Sequence, residues 1–207
     1  MSKELLSGNY YLISVGLILL SFVVFFLSFE KKKPQVREIV TLAVMCAIAV
    51  ASRVIFSVIP NFKPVLGVIM LTGMALGPGA GFLTGAMTAF VSNFIFGQGP
   101  WTPWQMFAYG TGGFLFGLLA QAQLLPKRRW LLSLLGAAII FFLVGPLLDT
   151  STVVTMRAMA DSNYVFAIYL AGVGPNADHA AATFITLYLC GEPLLRKLRR
   201  VQQKYGL

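Results

Sequence analysis

The sequence predicts an all-α integral membrane protein, and three observations carry that reading. Of 207 residues, 57% are hydrophobic and 11% are charged, with a mean hydropathy of +0.79; soluble domains carry about 25% charged residues. Between Pro64 and Pro126 there is no Asp, Glu, Lys, Arg or His at all, a run that a soluble domain could not solvate. The basic residues gather beside apolar stretches, as Lys31, Lys32, Lys33 and Arg37, then Lys127, Arg128 and Arg129, then Arg196, Lys197, Arg199, Arg200 and Lys204. A bilayer core about 30 Å thick takes roughly 20 apolar residues per helix. The chain therefore has room for six or seven spans and none for a separate catalytic domain.

The first expected span is Tyr11 to Phe29, followed by the basic segment EKKKPQVR. Positive charge after the apolar run, with no small-residue cleavage site, predicts an uncleaved helix with its N-terminus outside. The second span, Glu38 to Phe56, emerges outside at Pro60-Asn61-Phe62-Lys63-Pro64. A short third, Val65 to Leu76, ends inside at Gly77-Pro78-Gly79. The fourth, Ala80 to Phe96, leads outward to the loop GQGPWTPWQ (Gly97 to Gln105), and the fifth, Pro103 to Leu125, returns to Lys127–Arg129. The sixth, Trp130 to Leu148, carries Gly145-Pro146, an expected kink because proline removes a backbone donor. Tyr164 to Val173 is too short to cross and is expected as a partly inserted segment of a long outer connection. Asp178 is then the expected N-cap of a final span to Leu195. This arrangement puts all three basic clusters on the cytoplasmic side, as the positive-inside rule requires.

The net charge of +9 is thus a topology signal rather than a nucleic-acid footprint. Cys46 and Cys190 fall within spans and read as inert packing thiols. The sequence has no GxxxxGK[ST] phosphate loop, no Ser/His/Asp or Cys/His set, and no carboxylate deep in a span to relay protons. The expected protein is not an enzyme, has no catalytic residues, and takes no metal or cofactor of its own.

Small residues recur every four positions: Ala43, Ala47 and Ala51 on the second span, Gly81, Gly85 and Ala89 on the fourth, Gly113 and Gly117 on the fifth. Such strips let helices approach closely in lipid. The glycine strips are expected to pack within the bundle, whereas the alanine strip could face a separate membrane subunit. The loop joins Trp101 and Trp104 to Pro100 and Pro103, with Asn93, Gln98, Gln105 and Tyr109 around it. An aromatic belt at the membrane surface explains the tryptophans alone. A stiffened loop whose amides need partners that lipid does not supply points further, to contact with a ligand. Arg53 either snorkels or pairs with a carboxylate such as Asp149. His179, the one histidine, rules out a multi-histidine metal site and has a structural or a ligand-contacting role.

On these residues, from about Arg37 onward, the chain resembles the S components of energy-coupling-factor (ECF) vitamin transporters. The segment AVMCA (Ala43 to Ala47), continued to Ala51, matches the alanine pattern through which such subunits pack on a transmembrane T component. The blocks IPNFKPV, GFLTGAMTAFVSNFIFGQGPWTPWQMFAYG and GEPLLRKLRRVQQKYGL look most like the cobalamin-type S components. The resemblance implies a six-helix S-component core over residues 37–207, preceded over 1–36 by an additional N-terminal transmembrane helix and a cytoplasmic basic linker. It implies a multi-pass protein of the bacterial plasma membrane with its C-terminus in the cytoplasm. Its ligand would be cobalamin (vitamin B12) or a related corrinoid, bound from outside and delivered as the subunit topples in the membrane. A T component and two ABC-type ATPases would drive import, with ATP and Mg hydrolysed on those partners. Trp101, Trp104, Gln105, Tyr109, Asn93, Gln98 and Arg53 would form one side of the site. Tyr169, Asn176 and His179, around the outer connection, would close the other. An amide-rimmed corrin suits such a mouth, whereas a small acidic vitamin would favour a more concentrated cationic site. The alternatives are an S component for another vitamin or corrinoid precursor, a membrane enzyme acting on a lipid or isoprenoid substrate, and a purely structural assembly subunit.

Overall fold

The computed structural model describes residues 36–60, 62–156 and 162–205, together with Gly16 and Val23. The expected span Tyr11–Phe29 lies outside the described residues apart from those two positions, and so do Asn61, Arg157 and Asp161. The described chain is helical without a strand: α1 (Val36–Ile55), α2 (Val65–Leu76), α3 (Pro78–Phe96), α4 (Thr102–Gln121), α5 (Arg129–Ile139), α6 (Gly145–Thr155) and α7 (Ser162–Tyr205). A π-helical turn, Ile140–Val144, joins α5 to α6, so they form one rod and the bundle has six.

Helix α2 is apolar all round, as a helix surrounded by protein must be, and is buried from Val65 through Gly73. Around it stand α1, α3, α4 and α7. Helices α3 and α4 make the closest approach, and glycine is the reason. A Cβ on Gly81 or Gly113 would meet the backbone of the other, one on Gly85 would meet the backbone of Tyr109, and one on Gly117 would meet Pro78. The glycine strips do pack within the bundle, and α2 joins them where Gly73 abuts the Gly113 carbonyl. Gly77 links α2 to α3 with φ of 99°, a left-handed backbone that favours glycine.

Among the described residues, three rods are long and apolar enough to cross a membrane by themselves: Val36–Val58, Pro78–Phe96 and Arg129–Thr155. Exposed Val40, Val44, Ile48, Phe94, Phe142 and Leu189 supply apolar surface for lipid. Before Pro146 the helix widens into the π turn instead of breaking, a known response to an interrupted hydrogen-bond ladder.

The largest departure from expectation is at the C-terminal end. Tyr164–Val173 is not a separate inserted segment, and Asp178 is not an N-cap. Both lie inside α7, a continuous helix of 44 residues with Pro175 and Pro193 in its interior. Contacts with α6 carry the helix across Pro175. Tyr169 and Thr150 hydroxyls lie 2.8 Å apart, Gly172 packs against the Asp149 carboxylate, and Asn176 Nδ2 donates to Asp149 Oδ2 at 2.7 Å. Tertiary packing therefore overrides two local stop signals. At about 1.5 Å per residue, α7 is roughly twice as long as a bilayer core is thick, so its ends must project. Its basic C-terminal end is pinned by buried Leu195 and Leu198 and by Gln202, whose Nε2 donates to the Ala75 carbonyl at 2.8 Å. That bond satisfies one of the free carbonyls at the end of α2.

Candidate functional site

The last turn of α3 carries two adjacent polar residues, Ser92 and Asn93, both buried. Gly97, with φ of 101°, then turns the chain into the tryptophan loop, and Pro103 lies in the first turn of α4, where its missing N–H costs nothing. This hairpin brings the end of α3 against the start of α4, and the end of α1 adds Arg53.

The result is one hydrogen-bonded network. Arg53 Nη1 donates to Ser92 Oγ and to Asn93 Oδ1 at 3.0 Å. Asn93 Nδ2 donates to Gln105 Oε1 at 2.7 Å and to Thr102 Oγ1 at 3.1 Å. Thr102 Oγ1 donates to Gln98 Oε1 at 2.9 Å and accepts from the Gly99 N–H at 3.2 Å. Gln98 Nε2 reaches back to the Phe90 carbonyl at 2.9 Å. The Arg53 guanidinium also lies 4.8 Å from the Phe96 ring centroid and 5.8 Å from that of Tyr109, within cation–π range.

Asn93, 1% exposed, is the hub. Replacing it with leucine leaves Arg53, Thr102 and Gln105 short of a buried partner, which costs about 1–3 kcal/mol. Asn93→Leu is therefore expected to unfold at a lower temperature in detergent; an unchanged midpoint would show that the network carries no such weight.

Of the residues singled out in the sequence, Arg53, Asn93, Gln98, Gln105 and Tyr109 are joined through this network or its ring contacts. Trp104 is buried, and its Nε1 has no partner among the described residues. Trp101 is partly exposed, its ring lying over Gly99. Arg53 neither snorkels nor pairs with Asp149. It is 5% exposed, and Asp149 is bonded to Asn176 instead. Tyr169 and Asn176 belong to that separate α6–α7 cluster. His179, on α7, has its Nε2 buried without a partner among the described residues. Lys63 is half-buried in the α1–α2 connection; burial, and then Arg53, holds its pKa below the usual lysine value. Ser92, Thr102 and Phe96 were not legible as site residues. Their sequence signal, two adjacent polar residues ending an apolar span and a threonine between tryptophans, is common to ordinary helix ends.

Ala43, Ala47 and Ala51 all lie on the outer side of α1, opposite its buried face of Leu42, Met45, Ala49 and Arg53. Together with Leu83, Met87 and Val91 of α3 they line an open apolar groove of about 930 Å³. The groove contains no charged group and does not touch the Arg53 network except through the body of α1. The molecule thus separates a polar, aromatic end of the bundle from an apolar flank.

The family model described as "ECF-type riboflavin transporter, S component" matches residues 33–200, which include both the mouth and the alanine face. No solved structure matches the chain.

Proposed function

The chain belongs to the family of ECF-type riboflavin transporter S components, and on that premise we propose that it captures cobalamin or a related corrinoid at the outer end of its bundle. Membership makes it a vitamin-binding transporter subunit rather than an enzyme. The observation that carries the placement is the network Arg53–Asn93–Gln105–Thr102–Gln98, which ties α1, the end of α3 and the tryptophan hairpin together. Rigid, prearranged amides and aromatic faces suit a large ring system edged with amides, because little ordering remains to be done when it binds. The sequence blocks that resemble cobalamin-type members overlie this same hairpin.

Riboflavin is the second reading. The family's description favours it, and a flat flavin ring suits stacking on tryptophan and tyrosine. In either case the N-terminus lies outside and the C-terminus in the cytoplasm of the bacterial plasma membrane. A T component docks on the Ala43–Ala47–Ala51 face, and two ABC ATPases hydrolyse ATP with Mg. Residues 1–36 form the additional helix and linker, and 37–207 the six-helix substrate-binding core.

Titration of the purified chain with cobalamin and with riboflavin, in the absence of ATP, tests the assignment. Saturable one-to-one cobalamin binding is expected. Binding of riboflavin alone transfers the site to the second reading, and binding of neither overturns both.

A further inference from the structure

We infer that the outer mouth contains an anion subsite, built on Arg53 with Lys63 of the adjoining connection, that takes a phosphoryl group of the ligand. The inference rests on the reading of this mouth as the vitamin site and adds the chemical class of group that it recognises.

Arg53 is 95% buried, at 5% exposure, yet its only hydrogen-bond partners among the described residues, Ser92 and Asn93, are neutral. Its Nε has no partner. Neither Arg53 nor Lys63 is ion-paired among the described residues: Asp149 is engaged by Asn176, and Glu192 pairs with Arg129 near the start of α5. Asp178 follows the chain beside His179 but is exposed. Arg53 of α1 and Lys63 of the α1–α2 connection are therefore two cations without an ion-pair partner among the described residues, and the carboxylate that bears on His179, that of Asp178, is exposed.

Burying an unpaired charge is among the most costly things a fold can do. Here the cost is met by design: Phe96 and Tyr109 flank the guanidinium, and Asn93 holds it through a network extending to Gln98. A side chain fixed this firmly, with a donor to spare, is prearranged for an anion. Guanidinium and ammonium donors presented together suit phosphate oxygens, with the fork giving direction and the lysine adding charge. What the sequence did not display is that the fold buries Arg53 among neutral partners.

A phosphoryl group could come from the ligand or from a lipid headgroup. The burial of Arg53 and its link through Asn93 to the tryptophan hairpin favour the ligand. Cobalamin carries a phosphodiester and cobinamide lacks it; flavin mononucleotide carries a phosphate and riboflavin lacks it. The purified chain in phospholipid-free detergent is titrated with both pairs, and its thermal stability is followed in inorganic phosphate against chloride at equal ionic strength.

In the wild type, phosphate raises the unfolding temperature saturably, and the phosphorylated member of the recognised pair binds about tenfold tighter or better. Arg53→Gln removes the phosphate response and brings the pair to within about twofold. Lys63→Gln, in a connection rather than the bundle interior, lowers the preference about threefold and serves if Arg53→Gln does not fold. Vitamin binding indifferent to the phosphate ester and to both variants overturns the subsite while leaving the vitamin site standing. An Arg53-dependent phosphate response without binding of any of the four vitamins keeps the subsite and rejects the substrate reading. A response restricted to added phosphatidylglycerol assigns the cations to lipid and overturns the proposal.

Discussion

Replacing Ala43 and Ala47 together by tryptophan is expected to abolish vitamin uptake and recovery of the chain with its T component, while leaving vitamin binding within about twofold. Both alanines are exposed on α1, so the indoles meet no atoms of the bundle core. They would instead fill the apolar groove shared with Leu83, Met87 and Val91. Close helix approach in a membrane depends on small side chains at the contact, because lipid tails are as apolar as leucine and packing must supply the attraction. Two indoles hold a partner helix away by several ångströms, enough to remove its van der Waals contacts. The Arg53 network lies on the opposite side of α1, which is why binding is spared. Co-purification and cellular uptake measure the first effect and ligand titration the second. Assembly at the wild-type level would reject this face as the docking surface.

An equally large effect, of a different kind, is expected at Gly113. A leucine there places its Cβ against the Gly81 carbonyl and 2.8 Å from Ile69 Cγ2. Flexible side chains can move aside, but two backbones held together by Gly73, Gly81, Gly85 and Gly117 cannot. Overpacking typically costs about 1–3 kcal/mol and occasionally more; with backbone as the obstacle, Gly113→Leu should lie at or above the top of that range. The expected result is little folded protein, or an unfolding midpoint far below that of the wild type. Gly174→Ala is the control, since nothing lies within 4 Å of a Cβ there, and it should change stability by less than about 1 kcal/mol. Similar losses from both substitutions would show that the glycine contacts are not what holds α3 to α4.

These contrasts explain what the sequence could reveal. Val65–Leu76 was legible residue for residue because its boundaries are marked by Pro64 and Gly77 and its interior is uniformly apolar. The facing glycine strips were legible because small residues every four positions have one main use in lipid. The same periodicity left the alanine strip open to either use, and its outward position is seen only in the fold. Asn93, Gln98, Gln105 and Arg53 stood out because amides and charge are conspicuous in an apolar chain. What joins them was not legible. Ser92 and Thr102 are hydroxyl residues, which often bond back to their own helix, as Ser92 also does to the Ala89 carbonyl. Only the hairpin geometry turns them into bridges. The continuity of α7 was hidden for a related reason. Asp178 reads locally as a helix start and Pro175 as a helix break, and the bonds from Asp149 and Thr150 that outweigh them come from α6.

Reconstituted uptake tests the account most directly. Proteoliposomes containing the chain alone, and others containing it with the T component and both ATPases, are given labelled cobalamin and riboflavin with and without ATP inside the lumen that represents the cytoplasm. The chain alone should hold about one vitamin per molecule with no accumulation, ATP or none. Only the complete assembly with ATP should concentrate the vitamin. Accumulation or chemical conversion of the vitamin by the chain alone, or an absence of vitamin binding in every case, would contradict it.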